Sequence, residues 1–499
     1  MKDSKKILIF ITAYNAESTI EKVLKRIPSA IYNYNYEILI IDDKSSDHTF
    51  DRASAYKSRN KEIQLTVLYN PENQGYGGNQ KLGFQYAIEK DFDVVVLLHG
   101  DGQYAPEVLE KLILPVLNEE ADAVFGTRMT QGLKLTSPGM PFYKYAGNRI
   151  LSFMQNRILD MRLTEFHSGY RAYSVKTLKQ IPFELNTNDF HFNTEIVIQL
   201  KINESRIHEI PIPTCYGDEK CYVNGFVYAW NVIKATLRAK LQQMNISYHR
   251  QFDIAKPKHL YPPKFDFLSS HTMAIDEVRS GAHVLDIGCG AGHVGRELEK
   301  RSCQVTGVDV TTEEEGKSLQ KFSKIDLNRD AIPFPPDSFD FILILDVLEH
   351  LDLPSQFNLL EKIRTGSKSK KPVIIITVPN IAFLFIRLQL LMGNFNYGKQ
   401  GILDMTHRHL FTFKSIRRFL KQAGYKIEKT KGIPPPYPQV IGNNVVSRFL
   451  LKINTYLIWL IPGLFSYQIF VKATPLSTAK QLLKLADEKS RERELNIKK

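Results

Sequence analysis

Carboxylates close behind short apolar runs recur along the first half of this chain. Asp42 and Asp43 follow YEILII, and Asp101 follows DVVVLLHG, with His99 two residues before it and Gln103 two after. Carboxylate, imidazole and amide groups at the end of a strand can hold a divalent cation, and a cation neutralises a leaving diphosphate. In the second half, VLDIGCGAG places Asp286 ahead of Gly288, Gly290 and Gly292. Glycines at alternate positions let a backbone turn sharply and approach a ligand closely, in front of a helix N-terminus. The spacing is G-x-G-x-G, with His293 where a dinucleotide fingerprint has its third glycine, so a nicotinamide cofactor is not indicated. Asp309 ends VTGVDV, where a carboxylate can accept ribose hydroxyls, and Asp326 after FSKI is placed to meet an adenine amino group. GILDMTHRHLFT offers Asp404, His407 and His409, and His350 ends DVLEH. An imidazole in such a segment can take the proton of a hydroxyl nucleophile.

The elements that must carry these residues follow from the hydrophobic period. Residues 1 to about 235 alternate β-branched runs with helical periods: KILIFIT, a helix from Glu17 to about Arg26, YEILIIDD, IQLTVLY, a helix near Lys81 to Glu89, and DVVVLLHGDG. That alternation predicts an α/β layer with a mostly parallel sheet, whose ligands bind beyond the carboxyl ends of the strands. Thr12 to Asn15, Asp42 with Asp43, and Asp101 all fall there. A linker is expected over 236–260, because three prolines interrupt the following stretch without a clear strand. A second α/β domain is expected over 261–475, through HVLDIGCGAG, CQVTGVDV, FDFILILDVLEHL, PVIIITVPN and a closing strand SYQIFVKA, with a charged tail over 476–499.

Length and composition agree with two domains. The chain has 499 residues, 43% hydrophobic and 24% charged, which excludes disorder, collagen and coiled coil as the main architecture. Lys plus Arg exceed Asp plus Glu by 66 to 53, a net +13 that favours anionic partners. The four cysteines lack CxxC spacing, so a reducing, cytoplasmic home without structural zinc is expected. The start, MKDSKKILIFITAYN, reads as a first strand rather than a secretion signal. Tyr456 to Val471 falls short of the ~20 apolar residues that span a bilayer. The apolar stretches from Ile381 to Met392 and from Phe449 to Phe465 interleave Arg387, Arg448 and Lys452. They are read as core helices, with the headgroup region of a cytoplasmic leaflet as the alternative.

Asp286, the glycine turn, Asp309, Asp326 and DVLEHL, arriving in that order, resemble the class I S-adenosylmethionine-dependent methyltransferases over about 255–475. The resemblance implies a Rossmann-like fold with Gly288 and Gly290 under the methionine part, Asp309 on ribose, and Asp326 with Leu327 flanking adenine. The D-x-T-H-x-x-x-x-T stretch is similar to that of methyltransferases acting on sugars and small hydroxyl compounds. His407 is the candidate base, oriented by Asp404, with His350 ranked second. A Rossmann-like binding domain without chemistry is the alternative. TAYNAE, IIDDKSSDHT, NQGYGGNQ, HGDGQYAPE and EFHSGYRAY resemble the inverting family-two glycosyltransferases of GT-A fold, nearest the branch that loads a sugar onto polyprenyl phosphate, such as dolichyl-phosphate mannose synthases. That resemblance covers about 5–225. It implies Ala13, Tyr14, Glu17 and Asp43 on the nucleoside and His99, Asp101 and Gln103 at the metal, Mg²⁺ or Mn²⁺. The relatives' D-x-D is here His99-Gly100-Asp101, and Mn²⁺ tolerates an imidazole better than Mg²⁺ does. Glu165 stands where the branch often has Asp, and Arg171 is expected on the acceptor phosphate or diphosphate. Arg128 and Lys220 are further cationic candidates.

The expectation is therefore a bifunctional cytoplasmic enzyme, peripheral to the inner face of the membrane at most. One half transfers a sugar from a nucleotide sugar to polyprenyl phosphate; the other O-methylates a sugar of the same envelope-glycan pathway. A glycan hydroxyl is the alternative acceptor, with Glu165 or Glu195 as base. A nucleotide-sugar-binding module with weakened catalysis is the alternative of another class. Nucleic acid is not an expected substrate, because the second half lacks an NPPY-like or Pro-Cys motif. Oligomeric state, donor identity and methyl position stay open.

Overall fold

Runs of β-branched residues, apolar on both faces, become central strands covered by helices on either side. In β1 (Lys6–Ala13), Ile7, Ile9 and Ile11 enter one core and Leu8 and Phe10 the other, as the two-residue period of a strand requires. The computed structural model describes residues 5–129, 142–213, 224–243, 247–254, 264–310, 319, 321–330, 332–368 and 370–497. The chain divides into two units, residues 1–243 with 249–257, and residues 244–248 with 258–499.

The first unit adds β2 (Asn35–Asp42), β3 (Leu65–Tyr69), β4 (Val94–His99), β5 (Ala123–Thr127), β6 (Arg171–Ser174) and β7 (Ile207–Pro211). Their order is β3-β2-β1-β4-β6-β5-β7, with β6 antiparallel to both its neighbours. Register sets Ala13 beside Asp42 and Thr12 beside His99, so three sequence motifs meet at one sheet edge. The helix Gly75–Glu89 packs so closely on β1 that a Cβ on Gly83 would fall 2.1 Å from the Phe10 ring. This helix starts six residues before the expected Lys81. The first helix is shorter than expected, Ile20–Lys25, with its preceding residues held in turns.

The second unit contains β8 (His283–Ile287), β9 (Gln304–Asp309), β10 (Lys321–Lys324), β11 (Phe341–Leu345), β12 (Val373–Pro379), β13 (Tyr425–Ile433) and β14 (Gln468–Pro475). Their order is β10-β9-β8-β11-β12-β14-β13, with β14 antiparallel to β12 and β13.

Two expectations need correction. The helix Gly225–Gln243 runs across the start of the expected linker, and Phe252 and Ile254 are buried in a core of the first unit. The apolar stretches read as core helices are largely exposed. Only Ile386 is buried in Leu384–Leu391, and Val445–Leu460 leaves Val445, Phe449, Tyr456 and Trp459 open. Each packs one side and presents the other, which a hydrophobic run cannot reveal. Among the described residues no helix is long and apolar enough to cross a membrane.

Candidate active sites in the two units

At the carboxyl edge of the first sheet, the loop after β1 and the loop after β2 are stitched together by hydrogen bonds. Asn15 N–H donates to Ser45 Oγ (2.9 Å), Ala16 N–H to Thr49 Oγ1 (2.7 Å), and His48 N–H to Glu17 Oε2 (3.3 Å). Tyr14 stands 45% exposed above this platform, while Ala13 lies beneath it and accepts the Asp43 N–H with its carbonyl. Asp43 is not open to a nucleoside, contrary to expectation. Its Oδ1 accepts from Asn70 Nδ2 and Gln74 N–H, both 2.8 Å, and its Oδ2 from Gly75 N–H at 2.9 Å. A carboxylate there caps the helix from across the sheet and accounts for its early start. Asp42, passed over in the sequence reading in favour of Asp43, is the one with a free oxygen: Oδ1 binds Ser45, and Oδ2 is buried with no partner. Burial raises its pKa.

His99 is half-buried against Tyr76, Tyr104 and Gly169. Its ring centroid lies 4.9 Å from that of Tyr104, its Nε2 lies 3.5 Å from Tyr76 Oη, and a Cβ on Gly169 would come within 2.7 Å of that nitrogen. Burial lowers its pKa, so the imidazole is neutral and able to donate a lone pair. Asp101 Oδ1 accepts Gln103 N–H at 2.9 Å. The triplet therefore fits a cation held by the Asp101 carboxylate together with a substrate diphosphate, rather than by protein ligands alone.

Two charged candidates serve the scaffold. Arg171 is 1% exposed and donates to the carbonyls of Ser168 (2.7 Å), Asn193 (3.1 Å) and Phe166 (2.6 Å), with its guanidinium 4.4 Å from the Phe125 centroid. It cannot reach an acceptor phosphate from there. Glu165 is buried in an ion pair with Arg128, which also donates its backbone N–H at 2.8 Å. Burial alone would raise the Glu165 carboxyl, but the charge and hydrogen bonds of Arg128 hold it below the ordinary range. Glu195, raised by burial, accepts from Thr187 N–H and Gln251 Nε2. Lys220, Cys215 and Cys221 lie outside the described residues.

In the second unit, Gly288, Gly290 and Gly292 all have positive φ, at +75°, +53° and +70°. A Cβ on Gly288 would lie 2.3 Å from Val347 Cγ2, whereas one on Gly290 would meet nothing within 4 Å. The turn thus abuts the segment after β11 on one side and leaves an open cradle on the other. Asp309 Oδ2 accepts the Gly290 N–H at 2.7 Å, setting the carboxylate beside that cradle. Asp286 is buried beneath it, its pKa pushed up to about 7 by desolvation and by Asp309. Asp326 Oδ1 accepts Asn328 N–H at 3.0 Å, and Leu327 packs against the core. The open glycine cradle beside a strand-end carboxylate fits S-adenosylmethionine.

His407 is half-buried and 4.8 Å, centroid to centroid, from His350. Its Nδ1 is 2.9 Å from the Ile402 carbonyl, which can only accept, so Nδ1 carries the proton and Nε2 is bare. Asp404 is not its orienting group, contrary to expectation; Oδ1 takes the Thr406 N–H and O–H at 2.8 and 2.7 Å. His409 Nδ1 pairs with Gln356 Oε1 at 2.9 Å.

Comparison with known proteins matches each unit to a different enzyme class. The family model for glycosyl transferase family 2 matches residues 8–181, and one described as a methyltransferase domain matches 259–430. The UDP-N-acetylglucosamine--dolichyl-phosphate N-acetylglucosaminyltransferase of Methanococcus voltae is 30% identical over 43% of this chain and 87% of its own length. The chain belongs to glycosyl transferase family 2. The undecaprenyl-phosphate mannosyltransferase of Micrococcus luteus is 29% identical over 42% of this chain and 82% of its own length. A SAM dependent methyltransferase from Archaeoglobus fulgidus, solved by crystallography, aligns with 41% of this chain and 89% of its own at 21% identity and a TM-score of 0.28. The two family models and the two sheet orders, taken together, make the first unit a glycosyltransferase with a GT-A-type sheet and the second a methyltransferase with a Rossmann-like sheet. In the glycosyltransferase unit, Tyr76 and Tyr104 were not legible as site residues, since each reads locally as an ordinary core aromatic.

Proposed function

We propose that the glycosyltransferase unit transfers a sugar from a nucleotide sugar, with inversion, to polyprenyl phosphate. We propose further that the methyltransferase unit O-methylates a sugar hydroxyl of the same envelope-glycan pathway. The observation that carries the acceptor reading is the Glu165–Arg128 pair. A hydroxyl acceptor needs a base; Arg128 occupies both oxygens of the buried Glu165 and lowers its affinity for a proton, while Glu195 is engaged by Thr187 and Gln251. A phosphate acceptor is already ionised, so positioning and electrostatics suffice. The polyprenyl- and dolichyl-phosphate acceptors named for the relatives support the same reading.

In the transfer, an acceptor phosphate oxygen bonds to the anomeric carbon as its bond to the nucleoside diphosphate breaks. Tyr14, Glu17 and Asp42 frame the nucleoside, and Asp101 would hold the divalent cation. A cation bound there neutralises the leaving diphosphate. In the methyltransferase unit, Gly290 admits the cofactor and Asp309 stands at its ribose. S-adenosylmethionine supplies a methyl group on a sulfonium. Without a bound cation, His407 Nε2 is the group that takes the proton of the acceptor hydroxyl.

A lipid acceptor favours a place at the inner face of the cytoplasmic membrane. The exposed stripe of Val445, Phe449, Ile453, Tyr456 and Trp459, flanked by Arg448 and Lys452, has the make-up of a helix lying on an anionic headgroup layer.

The test incubates the protein with Mn²⁺ or Mg²⁺, a panel of nucleotide sugars and a short polyprenyl phosphate. Release of nucleoside diphosphate and formation of glycolipid are measured together. Lipid-dependent release lost in Asp101→Ala is expected. Lipid-independent release shifts the acceptor to a glycan hydroxyl, and donor binding without turnover assigns a nucleotide-sugar-binding module.

A further inference from the structure

Glu349 lies in the turn Leu348–His350 that follows β11. Its side chain belongs to a residue only 1% exposed, and Oε2 is buried with no hydrogen-bond partner. A carboxylate oxygen left that way is costly unless a ligand completes it. Its neighbours are two imidazoles: one donor atom each from Glu349, His350 and His407 lie within 4.8 Å of one another.

The surrounding hydrogen bonds decide which nitrogens are bare. His407 Nδ1–H donates to the Ile402 carbonyl, leaving Nε2. Thr406 Oγ1 donates to Asp404 Oδ1, so its oxygen accepts from His350 Nδ1–H at 2.9 Å, again leaving Nε2. These are the contacts that orient histidine ligands at metal centres. The two segments are also pinned together, because the Glu349 carbonyl accepts Arg408 N–H at 2.7 Å and His409 N–H at 3.2 Å.

We propose that Glu349, His350 and His407 form a divalent-cation site, built from one carboxylate oxygen and two Nε2 atoms. Two imidazoles and one carboxylate suit Zn²⁺ or Mn²⁺ better than Mg²⁺. Three protein ligands leave a position open, as in catalytic rather than structural centres. The use of that position rests on the O-methylation reading: an acceptor hydroxyl there has its pKa lowered by the cation. Its O–H bond breaks with the proton passing to water, and the new O–CH₃ bond forms as the S–CH₃ bond breaks. His407 is then a ligand in place of a proton acceptor.

The site is tested with metal alone, so its failure is separate from that of the O-methylation reading. Chelator-stripped full-length protein is titrated with Mn²⁺, and free Mn²⁺ is followed by electron paramagnetic resonance without nucleotide or acceptor. Glu349→Gln, His350→Ala and His407→Ala are expected to weaken one site by about 10–100-fold or more, while Asp101→Ala retains it. S-adenosylmethionine binding, measured calorimetrically, shows that each variant is folded. Mn²⁺ binding unchanged in the three variants overturns the proposal. A second measurement needs no variant: saturating Zn²⁺ is expected to block diethyl pyrocarbonate modification of His350 and His407 in the wild-type protein, and unprotected modification overturns the site.

Discussion

In the glycosyltransferase unit, Asp43, Glu165 and Arg171 all end on partners supplied by the protein. In the methyltransferase unit, Glu349 Oε2 has no partner, and two imidazoles keep a bare Nε2. The difference follows the chemistry each unit is proposed to do. A phosphate acceptor arrives charged, so the first site can use Asp43, Glu165 and Arg171 to hold the loops in place, with Asp42 Oδ2 left open on the nucleoside side. A hydroxyl acceptor must lose a proton, so the second site has to keep lone pairs available at the cost of desolvation.

The strongest way to break this contrast is to neutralise one carboxylate in each unit. Glu165→Gln removes the charge that faces Arg128 in a buried ion pair and is expected to cost about 3–5 kcal/mol in urea unfolding of the glycosyltransferase unit. Glu349→Gln removes a carboxylate that burial already disfavours in its charged form, and is expected to change the stability of the methyltransferase unit by less than about 1 kcal/mol. Equal costs for the two variants would remove the distinction. Gly288→Ala comes next in size. It adds a Cβ 2.3 Å from Val347 Cγ2 at a φ of +75°, and is expected to weaken S-adenosylmethionine binding by about 10–100-fold through about 1–3 kcal/mol of strain. Gly290→Ala meets open space within 4 Å, so its loss comes from φ and from intrusion into the cradle. Calorimetric titration of the two variants separates clash from occupancy.

Much of this was legible from local pattern. The buried runs in β1, β4 and β11 are continuous apolar segments, and the glycine turn needs only its own spacing. What was not legible depends on partners far along the chain. Arg171 looks like a phosphate ligand inside EFHSGYRAY until the carbonyls of Phe166, Ser168 and Asn193 close around it. Asp404 and His407 lie three residues apart in a motif, yet the imidazole is set by the Ile402 carbonyl, because the turn points the carboxylate at Thr406. The helix at Gly75 begins early because Asp43, more than thirty residues before it, accepts its first N–H groups. Exposure of Phe449 and Trp459 depends on which side of the helix Val445–Leu460 faces its own unit, and composition is silent on that.

The methyltransferase unit does contain a well-paired carboxylate, and its position sharpens the contrast. Asp340 precedes β11, at the amino edge of the sheet and so at the opposite end from Asp286 and the glycine turn. It accepts His283 N–H at 2.9 Å and pairs with Lys370 at 2.7 Å and with Arg279. Partial burial opposes its ionisation, but hydrogen bonds and the two cations prevail and hold its pKa at about 2, below the ordinary 3.8. A carboxyl with a depressed folded pKa contributes stability that is full above its unfolded value and is lost as pH falls through the folded one. Asp340→Asn is therefore expected to cost on the order of 1–2 kcal/mol at pH 7, and the difference from wild type should shrink between pH 3.8 and pH 2. Thermal unfolding of both proteins across that range measures it. A difference that stays constant with pH would mean that hydrogen bonding alone, without ionisation, holds this edge.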